Sequence, residues 1–143
     1  MPASDENPIT PLSTEECWDL LPASDLGRLA VSVGGAPDIF PVNYVVDGRS
    51  LLFRTAEGTK LLELTINSTV AFEADGWDDD TAWSVVVRGG ARVLELQDEI
   101  FRADTLPLRP WTPTLKYRYV RITPDVVTGR RIIRGEEPDR YLV

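Results

Sequence analysis

The sequence predicts a mainly β protein: about six antiparallel strands, closed or nearly closed into a small barrel, with only short helices beside them. Three observations carry this. Apolar residues recur at every second position in several short segments, Gly-Gly and Asp-Gly pairs separate the early segments at hairpin spacing, and no segment holds a helical period beyond two or three turns. A chain of 143 residues suits one domain. Its expected parts are a flexible lead-in at 1–11, the barrel domain at 12–135 and a polar tail at 136–143.

The lead-in, MPASDENPITP, holds three prolines and no apolar period, so ordered structure is expected from Leu12. Ser13 and Glu16 have capping-box spacing, and Leu12 with Cys17 forms a hydrophobic staple, which predicts a helix over 14–21 stopped by Pro22. Cys17 reads as a buried staple partner, because no His or Lys neighbours it to lower its pKa. From Gly27 the period becomes two, with Leu29, Val31 and Val33 on one face of a strand. Gly34-Gly35 turns the chain into a second strand over 38–46, and Asp47-Gly48 turns it into a third over 50–55. KLLELTI, 60–66, has the length of a two-turn helix, and VAFEA, 70–74, reads as a strand.

DGWDDDT, 75–81, reads as a polar loop; its carboxylates do not follow the order of a calcium-binding EF-hand loop. The longest strand pattern, 82–96, is interrupted at Gly89-Gly90, where a bulge lets a strand curl. A short helix over 98–104 follows. Pro107, Pro110 and Pro113 then fence Trp111 into an irregular crossing, and two strands, 116–123 and 126–133, are expected on either side of Pro124-Asp125. Trp18 and Trp83 read as core residues, while Arg88, Arg92, Arg118 and Arg121 alternate with apolar positions and read as solvent-facing.

Composition excludes several chemistries. The chain has no His and one Cys, so no Ser-His-Asp triad, His-ligated zinc or internal disulfide can form. The net charge is −8, unevenly placed: residues 1–100 carry 6 basic against 18 acidic side chains, and 101–143 carry 9 against 5. An acidic body argues against nonspecific binding of nucleic acid or anionic membrane. With no apolar run of about 18 residues and no secretory leader pattern, a soluble cytoplasmic protein is expected.

The stretch richest in chemistry is FRTAEGTK, 53–60, between a strand and a helix. Backbone N–H groups of Gly58 and Thr59 would stand at the helix N-terminus, Arg54 offers a forked guanidinium, Thr55 and Thr59 offer hydroxyls, and Lys60 a point charge. The set suits one terminal phosphate. It is not a Walker A loop, since Leu61 follows Lys60. An ordinary solvent-facing loop would also carry Arg and Lys here, and the residues alone leave both readings open.

In order and spacing, GRLAV (27–31), PVNY (41–44), LLFRTAEGTKL (51–61), VAFEAD (70–75), WSVVVRGGARVL (83–94) and TGRRI (128–132) resemble the pyridoxamine 5′-phosphate oxidase-like, FMN-binding split-barrel family. The resemblance implies a six- to seven-stranded antiparallel split barrel, a homodimer with flavin at the subunit interface. It implies that Pro41, Val42, Asn43 and Tyr44 line the isoalloxazine ring, largely through backbone groups. Phe53, Arg54, Thr55, Gly58, Thr59 and Lys60 would hold the ribityl chain and phosphate, Ser84 would stand near the ring, and Trp111 would reach the flavin of the other subunit. The absence of His sets the chain apart from authentic pyridoxamine phosphate oxidases and from the nitroimidazole-resistance branch. Some relatives bind a deazaflavin with an anionic tail; the acidic body favours FMN, with deazaflavin the alternative. The expected activity is redox transfer between the flavin and a small organic substrate or nicotinamide, with a non-catalytic flavin carrier as the other reading.

Overall fold

A computed structural model of the chain describes residues 7–56, 61, 68–111, 118–139 and 141. Seven strands, all antiparallel, form one sheet: β1 (Ile9–Pro11), β2 (Leu26–Val33), β3 (Ala36–Asp47), β4 (Ser50–Thr55), β5 (Ser68–Trp77), β6 (Thr81–Val93) and β7 (Arg118–Ile133). Their order is β1-β7-β4-β3-β2-β5-β6, and β6 pairs back onto β7, so six strands close into a ring with β1 on its outside edge. Two described helices flank the ring, α1 (Thr14–Leu20) and α2 (Gln97–Asp104), with a 3-10 turn at Leu21–Ala23 after α1. Among the described residues no helix is long and apolar enough to cross a membrane.

Alternation builds the interior. Leu29, Val31, Leu51, Phe53, Val70, Phe72, Val85, Val87, Val120 and Ile122 all bury their side chains in one cluster inside the ring, with Cys17, Trp18 and Leu21 of the α1 segment closing one opening. Each such Leu, Phe or Val contributes roughly 1.5–3 kcal/mol relative to exposure. The residues between them face outward, and on β4 and β7 two of these, Leu52 and Tyr119, enter a second, smaller cluster with Leu94, Ala103 and Leu108 beneath α2.

The local signals hold well at the start of the chain. Ser13 caps α1, its hydroxyl accepting from the Glu16 N–H at 3.2 Å while the Glu16 carboxylate accepts from the Ser13 N–H at 3.0 Å. Cys17 is buried, and burial pushes its thiol pKa up, with Glu16 adding to the effect. Gly34 and Gly35 both have positive φ, +58° and +82°, as a two-residue hairpin turn requires. Between β3 and β4 the turn falls one residue later than expected, at Gly48-Arg49, since Asp47 pairs with Ser50.

Four expectations are corrected. Ordered structure begins before Leu12: Ile9–Pro11 forms β1, pairing with Arg130–Ile132 of β7. Asp75, Gly76 and Trp77 belong to β5, and the loop shrinks to Asp78–Asp80, where the Asp78 carboxylate accepts from the N–H groups of Asp80 and Thr81 at 2.8 and 2.7 Å. The last two expected strands are one, because Pro124 stands at the register shift opposite Gly89, a place where its missing N–H costs no ladder bond. Arg121 does not face solvent: its side chain is 15% exposed and donates to Asp47 at 2.9 Å and to Ser50 Oγ at 2.6 Å. Of the expected helix over 60–66, Leu61 is helical and the remainder lies outside the described residues.

Candidate functional site

The ring is not uniformly sealed. Ala36–Asn43 of β3 pair with β2, but β3 meets β4 only from Tyr44↔Phe53 to Asp47↔Ser50. Beyond Phe53, β4 continues along β7 through Arg54↔Tyr119 and Thr55↔Arg118 with no further partner from β3. The sheet therefore splits here. Pro41, Val42 and Asn43 form one lip, and Arg54 and Thr55 form the other. The far end of the β3–β4 hairpin is clamped, since Asp47 accepts from Arg121 and from Arg102 of α2 at 2.9 and 2.6 Å. Burial works to raise the Asp47 pKa, but the two arginines outweigh it and hold the carboxyl below its usual range.

At the split the expected residues divide by role. Asn43 is half-buried; its Nδ2 donates to the Asp25 carbonyl at 3.1 Å, and its Oδ1 accepts from the Trp111 N–H at 2.8 Å. That bond joins two residues 68 positions apart and brings Trp111, 63% exposed, to the β3 lip. Val42, Tyr44 and Phe53 turn their side chains into the core, leaving only their backbones for a ligand. The Tyr44 hydroxyl donates to the Leu21 carbonyl, its ring meets Phe72 edge-on at 4.8 Å, and burial raises its pKa. It is not a proton donor for chemistry at the mouth. Pro41 is exposed and Thr55 buried.

Arg54 stands on the β4 lip. Its Nε is buried with no hydrogen-bond partner among the described residues, although its guanidinium lies 5.8 Å from the centre of the Tyr119 ring. The Tyr119 hydroxyl donates to Asp104 Oδ1 at 2.6 Å. Burial, then Asp104, pushes the Tyr119 pKa up to about 12 against the opposing pull of Arg54. A buried guanidinium N–H without an acceptor costs free energy unless an anion supplies one. Gly58, Thr59 and Lys60 lie outside the described residues.

Ser84 is not brought to this mouth within one chain. It sits on β6, with β2 and β5 between it and β3, and pairs with Asp75 and Arg130. It shares an outward face with Val86, which lines a groove of about 300 Å³ across β2, β3, β5 and β6. Ile39, 68% exposed, edges this groove, and Arg28, Glu73 and Asp75 stand in its wall. Arg28 Nη1 serves both carboxylates, at 3.0 Å to Glu73 and 3.2 Å to Asp75. Burial, then the neighbouring Asp75, pushes the Glu73 pKa up to about 7, with Arg28 opposing. Sequence reasoning passed over this cluster. The signal was present: Glu73 and Asp75 are two apart on one strand, which places them on one face.

Comparison with known proteins gives this geometry its context. The profile of the pyridoxamine 5′-phosphate oxidase family matches residues 13–131. Two uncharacterised proteins of Mycobacterium tuberculosis are similar: one is 46% identical over 96 residues, 67% of this chain and 87% of that protein, and one is 36% identical over 133 residues, 87% and 86% of the two. Among solved structures, the FAD binding protein from Mycobacterium smegmatis is 45% identical, covering 87% of this chain and 99% of that one with a TM-score of 0.80. A FAD-binding protein from Mesorhizobium loti is 26% identical, covering 86% and 97% with a TM-score of 0.74. With most of its length matched by that profile, the chain belongs to the pyridoxamine 5′-phosphate oxidase family.

Proposed function

We propose that this protein binds a phosphorylated flavin in the split between β3 and β4 and works as a flavin-dependent oxidoreductase on a small organic substrate. The observation that carries the reading is the buried Arg54 Nε, without a hydrogen-bond partner among the described residues, on the lip next to the expected phosphate loop. Arg54 would take the phosphate together with Thr55, Gly58, Thr59 and Lys60. Backbone groups of Pro41, Val42 and Asn43, released from any ladder with β4, would meet the ring, and Asn43 holds Trp111 beside them. The flavin supplies the hydride or electron transfer; the chain's residues bind, orient and exclude water.

The sequence reading favoured FMN, with deazaflavin as the alternative. The two flavin-binding relatives are described as binding FAD, so the group common to all of these, the ribityl phosphate, is what the site recognises. A split barrel that pairs as a homodimer accords with the apolar outer groove at Ile39 and would let Ser84 and Trp111 serve a partner's flavin. A non-catalytic carrier is the second reading, favoured by the commitment of the Tyr44 hydroxyl to Leu21.

Mass spectrometry of the cofactor released on denaturation tests the first step. The expected result is a phosphorylated flavin; a protein that is colourless and gives no fluorescence quenching with FMN or FAD overturns the proposal. Bleaching of the bound flavin by NADH or NADPH, followed by reoxidation with an acceptor, separates enzyme from carrier.

A further inference from the structure

Arg54 reaches the mouth from a strand position whose neighbours are core residues, and a long, freely rotating side chain there would lose rotamer entropy on meeting an anion. The chain contains a device against that loss. Tyr119 lies directly opposite Arg54 in the β4–β7 register, so the two side chains share a face. The Tyr119 ring lies beneath the guanidinium at 5.8 Å. Tyr119 is itself 6% exposed, packed with Leu52, Leu94, Ala103 and Leu108, and its hydroxyl is tied to Asp104 at the end of α2. Asp104 and Tyr119 thus form a tether from helix to ring to guanidinium.

We propose that Tyr119, fixed by Asp104, is the positioning residue for the phosphate site: it holds Arg54 in the orientation that presents Nε to a flavin phosphate. The inference rests on the phosphate reading above and adds two residues that touch no ligand. Tyr119 holds the guanidinium through its ring face and a hydrogen bond to its hydroxyl, and Nε stays available to the anion. An acidic partner such as Asp104 in direct contact with Arg54 would have consumed it. Routed through a tyrosine, the carboxylate instead fixes the ring.

The test compares FMN, FAD and riboflavin in calorimetric or fluorescence titrations of the whole protein. Riboflavin lacks the phosphate, so the ratio of riboflavin to FMN dissociation constants reports the phosphate site and is insensitive to general loosening of the fold. Tyr119→Leu is expected to lower that ratio about tenfold, a size in keeping with a desolvated cation–π pair. Tyr119→Phe, which keeps the ring and loses the tether, and Asp104→Ala, which loses the tether alone, should each lower it about threefold. If Tyr119→Leu does not fold, these two variants carry the test. The same loss with FAD in place of FMN points to the pyrophosphate as the group held, and also supports the proposal.

A wild-type preference for FMN or FAD that is lost in Arg54→Ala yet kept in full by the Tyr119 and Asp104 variants overturns the positioning role alone. No preference for the phosphorylated flavins in the wild type overturns the phosphate reading and the inference together.

Discussion

The ring has two kinds of seam. From Thr81↔Ile133 to Val93↔Val120, β6 and β7 are zipped along nearly their whole length, and at Gly89 the backbones come so close that a Cβ would lie 1.9 Å from the Thr123 carbonyl oxygen. Two seams away, β3 and β4 share a ladder only between Tyr44↔Phe53 and Asp47↔Ser50, and then part. The zipped seam is interrupted by one register shift, whereas beside the parted one the Arg54 Nε is buried without an acceptor among the described residues. The proposed function thus assigns stability and binding to different edges of one sheet, as expected where a functional site departs from local rules that the scaffold obeys.

Substitutions can break that division. The largest effect is expected from Arg54→Ala combined with Lys60→Ala. Removing two charge-assisted phosphate contacts should weaken FMN binding by roughly 3–6 kcal/mol, while the melting temperature of the flavin-free protein changes little, because the loss of the Tyr119 contact is offset by removal of an unsatisfied donor. A melt several degrees lower would make Arg54 part of the scaffold and erase the contrast.

Next is Gly89→Ala on the zipped seam. The new Cβ meets backbone atoms of β7, so relaxation is costly, and a stability loss of roughly 2–3 kcal/mol is expected in urea denaturation. Flavin affinity in the folded fraction should be unchanged.

Asn43→Ala should cost about 1 kcal/mol and speed hydrogen exchange at the Trp111 amide, which loses its acceptor. Unaltered exchange there would mean that Trp111 is held to the lip by something other than Asn43.

The smallest effect concerns Glu73, outside both seams. Its pKa is raised in the folded protein to about 7, so between the ordinary carboxylate value and about 7 the folded state binds more protons than the unfolded one. Stability contributed by the protonated form is complete at acid pH and is lost as pH rises through that window. Wild-type melting temperature should therefore fall relative to Glu73→Gln between about pH 5 and pH 8. Parallel pH profiles would remove Glu73 as the cause.

How far the molecule could be read beforehand follows the range of the interactions. The capping box at Ser13, the Gly34-Gly35 hairpin, the bounds of β4 and the bend at Gly89 depend on residues close in sequence, and each appears where its local pattern placed it. β1 was missed because a triplet ending in proline has no strand signal of its own and is ordered by the β7 edge it meets. β7 looked like two strands because Pro124 normally interrupts a ladder, and only the bulge across from it makes room. At the proposed site, Arg54 is part of a contiguous string visible in the sequence. Tyr119 and Asp104 are not, since only the β4–β7 register and the packing of α2 bring them to it. The Asn43–Trp111 bond shows the same limit from the other side, joining two residues that the family resemblance had named separately.

The reach of β7 has a consequence for how the molecule is made. It pairs with β1, β4 and β6, so every route around the ring passes through it. On the ribosome, β2 to β6 exist first as an open sheet with raw strand edges, and most of the partners β7 must find lie far back in the chain. A nascent protein halted before Arg118 would expose those edges together with the apolar residues of both clusters, the kind of species that aggregates or recruits chaperones. Ring closure is then a single late event, and the yield of soluble protein should depend more on how fast β7 emerges and docks than on any one side chain in the core.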